Sequence, residues 1–165
     1  MVLPRCVLAI LELFVLELGG LGALSMAVRV RLRITRGDSA IEVVALVNSG
    51  YEADSPQLMI PLTLAKTLGI WPPPPESREA IFETAGGPVK VWVIKRGARV
   101  RVVASDAESK EVEVDLVISP LIDEPLISDI LAGRLEIAVE DFAEGLWRFK
   151  WEPIEKLRRS EKRAF

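Results

Sequence analysis

Between Ala27 and Ile34 apolar and charged side chains alternate without a break, Val28, Val30, Leu32 and Ile34 interleaving with Arg29, Arg31 and Arg33. A period of two fits a half-buried strand and no helix. Arg36-Gly37-Asp38-Ser39 then reads as a turn and Ile41 to Val47 as a second strand, so the pair predicts an antiparallel hairpin. Val43-Val44-Ala45-Leu46-Val47 is apolar at every position, which predicts a central strand covered on both faces.

The rest of the chain continues in short units. Gln57 to Ile60 reads as a strand. Pro61 suits the first turn of a helix whose face carries Leu62, Ala65 and Leu68, and Gly69 suits the position just past its end. Trp71 and Pro72 to Pro75 form a stiff connector. Ile81–Thr84 and Val89–Ile94 flank Ala85-Gly86-Gly87-Pro88 as a second hairpin. Arg99–Ala104 and Glu111–Ile118 flank a polar turn as a third. Residues 127–131 read as a helical turn, and 135–139 as a last strand. Many short strands with one clear helix define an all-β class, a barrel or closed sandwich.

Composition removes several chemistries. The 165 residues, half of them apolar, suffice for one domain with its own core. Net charge is 21 minus 24, or −3, with no basic excess pointing to nucleic acid. The chain has no histidine, which excludes Ser-His-Asp and Cys-His catalysis and most catalytic zinc sites. One cysteine, Cys6, excludes an intrachain disulfide and a Cys-rich metal site. Acid-base chemistry is left to Asp, Glu, Lys or Tyr51, the one tyrosine. High Val, Ile, Arg and Pro with few Gln and Asn fit a heat-adapted source.

The ends differ from the middle. Residues 1–25 form an apolar extension, nearly unbroken from Cys6 to Leu18 except for Glu12 and Glu17. That run is shorter than the ~20 residues a membrane span needs, and no membrane partner is expected. Three readings stand: an upstream extension with Met26 opening the domain, a helix packing on the domain or on a second subunit, or a signal or anchor within residues 6–24. Cytoplasmic placement is the expectation. Residues 26–145 form the expected domain. Residues 146–165 form a basic tail, read as solvated and frayed, or alternatively as a helix docking on a partner through Trp147, Phe149 and Trp151.

The order of these elements resembles the retropepsin-like aspartic peptidases, single-lobe enzymes that work as homodimers, and especially their small prokaryotic members. Leu46-Val47-Asn48-Ser49-Gly50 stands where that family has an apolar pair followed by Asp-Thr/Ser-Gly. "IPLTLAKTLGI" stands for its Pro-led helix. Leu126-Ile127-Ser128-Asp129-Ile130-Leu131 matches its second landmark, with Ser128 in the place of a glycine. Glu83-Thr84-Ala85-Gly86-Gly87 sits where the family's flap closes over substrate. The match covers roughly residues 27–141.

The resemblance implies a closed β-barrel of the acid-protease fold with one or two short helices, endopeptidic cleavage of an extended peptide or protein, and neither metal nor cofactor. Asn48, Ser49 and Gly50 would form the catalytic turn, Thr84, Ala85, Gly86 and Gly87 the flap, and Ile127, Ser128 and Asp129 the second landmark. In such a peptidase two carboxyl groups meet across the dimer axis and share one proton. Asn48 keeps the shape of Asp but has no proton to exchange in the useful range. Three explanations of Asn48 stand: a pseudo-peptidase that binds peptide or dimerises, a replacement of an original Asp, or slow deamidation to the carboxylate. Glu52, Asp54, Asp123 and Glu124 are read as solvated carboxylates.

Overall fold

The computed structural model describes residues 27–164; the expected extension over residues 1–25 lies outside them. The fold is mostly β. Strands β1 (Arg29–Arg36) and β2 (Ser39–Val47) form the first hairpin, in register from Arg29↔Leu46 to Arg36↔Ser39. After β3 (Gln57–Pro61) comes helix α1 (Leu62–Thr67), entered from Pro61 and ended before Gly69, whose φ of 71° needs a residue without Cβ. Strands β4 (Arg78–Thr84), β5 (Gly87–Val102) and β6 (Val112–Ser119) follow. The short β7 (Leu126–Ile127) leads into α2 (Asp129–Arg134). A second sheet contains β8 (Ile137–Asp141), β9 (Leu146–Phe149) and β10 (Arg158–Arg159).

The seven-stranded sheet runs β1-β2-β7-β3-β6-β5-β4, and β1 also pairs with β5. The pairings β1-β2-β7-β3-β6-β5 therefore return to β1, and β4 hangs outside that ring on β5 alone. Two pairings are parallel, β2 with β7 and β3 with β6; the others are antiparallel. Inside lie Val30, Leu32, Ile34, Leu58, Ile60 and Leu116, all fully buried, which is the face the alternation of β1 predicts.

The expected second and third hairpins share a strand. The strands expected over residues 89–94 and 99–104 are joined in one, because β5 runs unbroken for sixteen residues as far as Val102. Its first half pairs with β4 and its second with β1, while β6 pairs along both halves with a register shift between Ile94 and Ala98. At that bulge Arg96 takes φ 48°. A Cβ on Gly97 would lie 2.9 Å from Leu116 Cγ and 3.0 Å from the Ile94 carbonyl oxygen, so only glycine lets β6 approach here. Sequence periodicity is silent about such a bend, because the polar Lys95-Arg96-Gly97 looks like a turn.

The basic tail is a correction. Residues 146–149 and 158–159 form β9 and β10, and Trp147 and Phe149 belong to the main core. Three of the cations that suggested a solvated segment, Lys156, Arg158 and Arg163, have carboxylate partners. The Arg158 guanidinium meets both carboxylate oxygens of Glu152, bonds Asp106 at 2.9 and 3.1 Å, and lies over the rings of Phe149 and Trp147 at 4.9 and 5.3 Å. Arg29 grips the buried Glu124 through two bonds of 2.8 and 2.9 Å, and Arg163 joins them at 3.6 Å. Glu124 is thus a buried structural anchor rather than a solvated carboxylate. Among the described residues no helix is long and apolar enough to cross a membrane.

Candidate functional site

Two turns leave the parallel β2–β7 pair side by side. The register is Leu46↔Leu126 and Val47↔Ile127, and it continues one step further, because Asn48 N–H donates to the Ile127 carbonyl at 3.1 Å. Parallel pairing means both strands end at the same edge. The segments 48–50 and 128–129, eighty residues apart in sequence, thereby become neighbours.

The first turn is closed by its own polar groups. Tyr51 N–H donates to the Asn48 carbonyl at 3.1 Å, and Gly50 N–H donates to Asn48 Oδ1 at 3.0 Å. That second bond is the local ring an Asx residue makes in place of a further backbone turn. It engages Oδ1 and leaves the amide nitrogen as the outward donor of the side chain. Asn48 and Gly50 are half-buried, and Ser49 is exposed.

The second turn is locked from inside. Ser128 is fully buried, and its Oγ accepts from Gln57 N–H at 3.1 Å and from Leu131 N–H at 3.2 Å. It caps α2 and ties β7 to β3 with one oxygen. Ser128 N–H returns a bond to the Gln57 carbonyl at 3.2 Å. Asp129 joins the two turns: its N–H donates to the Tyr51 carbonyl at 3.0 Å, and its Oδ1 accepts from Ala53 N–H at 3.1 Å and from Ile130 N–H at 2.6 Å.

A cavity of about 290 Å³ opens beside this junction, lined by Val47, Asn48, Ser49, Asp129, Phe142 and Lys150 among others. Its wall is mainly apolar, with an amide, a hydroxyl, a carboxylate and an ammonium group at hand. Burial and the carboxylates of Asp115 and Asp129 hold the nearby Tyr51 phenol far above its usual pKa. Tyr51 is therefore a neutral donor, to Gln57 Oε1 at 2.6 Å, and not a base. The chain of contacts continues from Gln57 Nε2 to Ser55 Oγ at 3.3 Å, and from Ser55 Oγ to Asp115 at 2.7 Å.

The β4–β5 hairpin reaches this region through its sides. The Phe82 ring lies 6.4 Å from the Tyr51 ring, and Val89, Val91 and Met59 bury Tyr51 in a second apolar cluster. The tip is internally braced. Thr84 Oγ1 donates to the Gly87 carbonyl at 2.7 Å and accepts from Gly86 N–H at 3.2 Å, while Gly87 takes φ 106°. Ala85 and Gly86 are exposed.

The structure thus brings Asn48, Ser49 and Gly50 together with Ile127, Ser128 and Asp129, and packs the base of the Thr84–Gly87 hairpin on the residue that follows the first turn. Glu52 and Asp54 are exposed. Among the described residues no group of three or more His, Cys, Asp or Glu could hold a metal ion. Sequence reasoning missed Gln57, Asp115, Lys150 and the bracing role of Tyr51. Gln57 did carry a signal: it is the one glutamine of the chain, and it opens an otherwise apolar strand. No protein-family model and no curated protein matches the chain.

Proposed function

We propose that this chain is one half of a retropepsin-like peptide-binding site and that two copies complete it. In this reading the ring of strand pairings is the closed barrel of that fold. The Asn48-Ser49-Gly50 turns of two copies face each other across a two-fold axis, and the β4–β5 hairpins cover an extended peptide lying above them. The observation that carries the reading is the parallel β2–β7 pair, whose two strands deliver a small polar turn and a helix-capping turn to one edge and lock them to each other. The packing of Phe82 against Tyr51 agrees with it, because it holds a hairpin beside that edge.

With Asn48 at the axis the dimer holds peptide without cutting it. Peptide hydrolysis needs one group to take a proton from the attacking water and another to give a proton to the scissile carbonyl oxygen. A carboxylate sharing one proton with a neutral carboxyl supplies both roles, and two amides supply neither. The Asn48 amide nitrogen can donate to a peptide carbonyl, which favours binding. Asn48→Asp is the same size and can accept the Gly50 N–H in the same place.

The test is a pair of proteins. Sedimentation should give a dimer for both. The natural chain should bind extended apolar peptides and leave them intact. Asn48→Asp should cleave an unstructured protein somewhere between about pH 3 and pH 8, and a hydroxyethylene peptide isostere should block it. A strictly monomeric chain, or an Asn48→Asp protein that neither cleaves nor binds across that range, ends the proposal.

A further inference from the structure

The cavity of about 290 Å³ beside the Asn48 turn combines an apolar lining with unused polar groups. Val47 and Ile137, both buried, and the half-exposed Phe142 supply the apolar part. Four polar side chains line the same space, and each has bonding capacity left over. Asn48 Oδ1 is taken by Gly50 N–H, so its amide nitrogen remains as a donor. Ser49 Oγ has no partner among the described residues. Asp129 Oδ1 accepts from Ala53 and Ile130 N–H, and its Oδ2 has no partner among the described residues. The Lys150 ammonium has no carboxylate partner among them either.

Asp129 and Lys150 thus bring opposite charges to one cavity without meeting. The carboxylates of the neighbouring chain are paired, Glu136 with Lys110 at 3.3 Å and Glu140 with Arg148 at 2.7 Å. An ammonium, an amide and a hydroxyl complement a carboxylate. A free carboxylate oxygen complements an ammonium, and the apolar lining complements a hydrocarbon side chain. One kind of small molecule carries all three features, a free α-amino acid with an aliphatic side chain. Pockets for drug-sized ligands run from about 300 to 1,000 Å³, so a cavity at the lower bound suits a molecule of this size.

We infer that this cavity binds a free aliphatic α-amino acid. Lys150, Ser49 and the Asn48 amide nitrogen hold its carboxylate, and Asp129 holds its ammonium. A residue inside a peptide has lost both charges to amide bonds, and a terminal residue keeps one of them. The site therefore tells the free amino acid from the chain it came from. The inference concerns the cavity of a single chain and stands whether or not two copies form a peptide site.

The probe is leucine, titrated into isotope-labelled full-length protein. The amide signals of Ser49, Gly133 and Val139 should move together and saturate, with a dissociation constant of about 1 mM or below. N-acetylleucine lacks the ammonium and leucinamide lacks the carboxylate, and each should bind about tenfold more weakly or worse. Lys150→Met changes an exposed side chain. It should weaken leucine by about tenfold and leave leucinamide unchanged. Asp129→Asn keeps an acceptor for Ala53 and Ile130 N–H. It should weaken leucine and leave N-acetylleucine unchanged. Should Asp129→Asn fail to fold, Lys150→Met with the three ligands still decides. No saturating shift by about 10 mM leucine, ten times a 1 mM constant, overturns the inference. N-acetylleucine or leucinamide binding as tightly as leucine also overturns it, because the site would then read one charge alone. Sedimentation and the Asn48→Asp cleavage assay test the two-copy reading separately, so either proposal can fail without the other.

Discussion

Ser128 concentrates more structural consequence than any other polar side chain near the turns. Its Oγ is the acceptor for two backbone N–H groups, those of Gln57 and Leu131, at a position with no solvent access. Ser128→Ala leaves both donors buried without a partner. A lost cap costs about 1 kcal/mol, and a stranded buried donor about 1–3 kcal/mol. The expected loss is therefore about 2–3 kcal/mol, read as a lower urea midpoint at unchanged slope. A loss under about 0.5 kcal/mol would mean that water or relaxation satisfies both groups, and the inter-turn lock would be weaker than described. This residue was singled out in the sequence as a departure from a glycine, but its role was illegible there. The role depends on Gln57, seventy-one positions away, and no local pattern announces so distant a partner. Asn48 was legible for the opposite reason: an apolar strand that ends on Asn-Ser-Gly is a purely local signal.

Elements divide in the same way. The alternation of β1 and the proline-led α1 agree with the structure because each is decided within a few residues. Strand β2 is central as expected, but Val43, Val44 and Leu46 are only half-buried, so it is not covered on both faces. The long β5 was not legible, because its bend is held by β6. Asp115 of β6 accepts from Arg96 N–H at 2.9 Å, from Lys95 Nζ at 2.7 Å and from Ser55 Oγ at 2.7 Å. Burial pushes this carboxyl's pKa up, but the bonds from Lys95, Arg96 and Ser55 outweigh that, so it lies below the usual value. A depressed carboxylate contributes stability at pH values above its unfolded pKa of about 3.9 and loses it as pH falls through the folded value. Asp115→Asn should therefore cost about 1–3 kcal/mol at neutral pH, with faster hydrogen exchange at Arg96 and Gly97. The gap to the natural protein should close below about pH 4. Most of the loss belongs to the backbone and Ser55 bonds, because Lys95 is largely exposed and its ion pair is screened. A gap that persists unchanged at low pH would assign the effect to packing instead of charge.

At the scale of the whole molecule, the second sheet is fastened to the first by the ion pairs of Arg158 and Lys156 with Asp106 as well as by Trp147 and Phe149. Glu152 braces the second sheet from within and holds Arg158 and Lys156 in place. It accepts from Arg158, from Lys156 at 2.8 Å and from Phe149 N–H at 3.0 Å. The bonds from Arg158 lower its pKa most, burial opposes them, and the bonds from Lys156 and Phe149 lower it further, to about 2 from an ordinary 4.5. Because the folded value is the lower one, the contribution is fully present above the ordinary value and drains away as pH falls toward 2. It amounts to at most about 3 kcal/mol, and less once screening by water and salt is counted. The expectation is an acid transition in which the β8–β10 sheet loosens, followed through Trp147 and Trp151 fluorescence as pH is lowered across that interval. Glu152→Gln should weaken the sheet at neutral pH and flatten the transition, since the glutamine has nothing to titrate. The stacking of Arg158 over Phe149 and Trp147 survives that change, so the sheet should loosen without unfolding the strand ring. A tryptophan transition of the same steepness in Glu152→Gln would assign the acid response to another carboxylate anchor, Glu124 with Arg29 and Arg163, which ties the same end of the chain to the first strand.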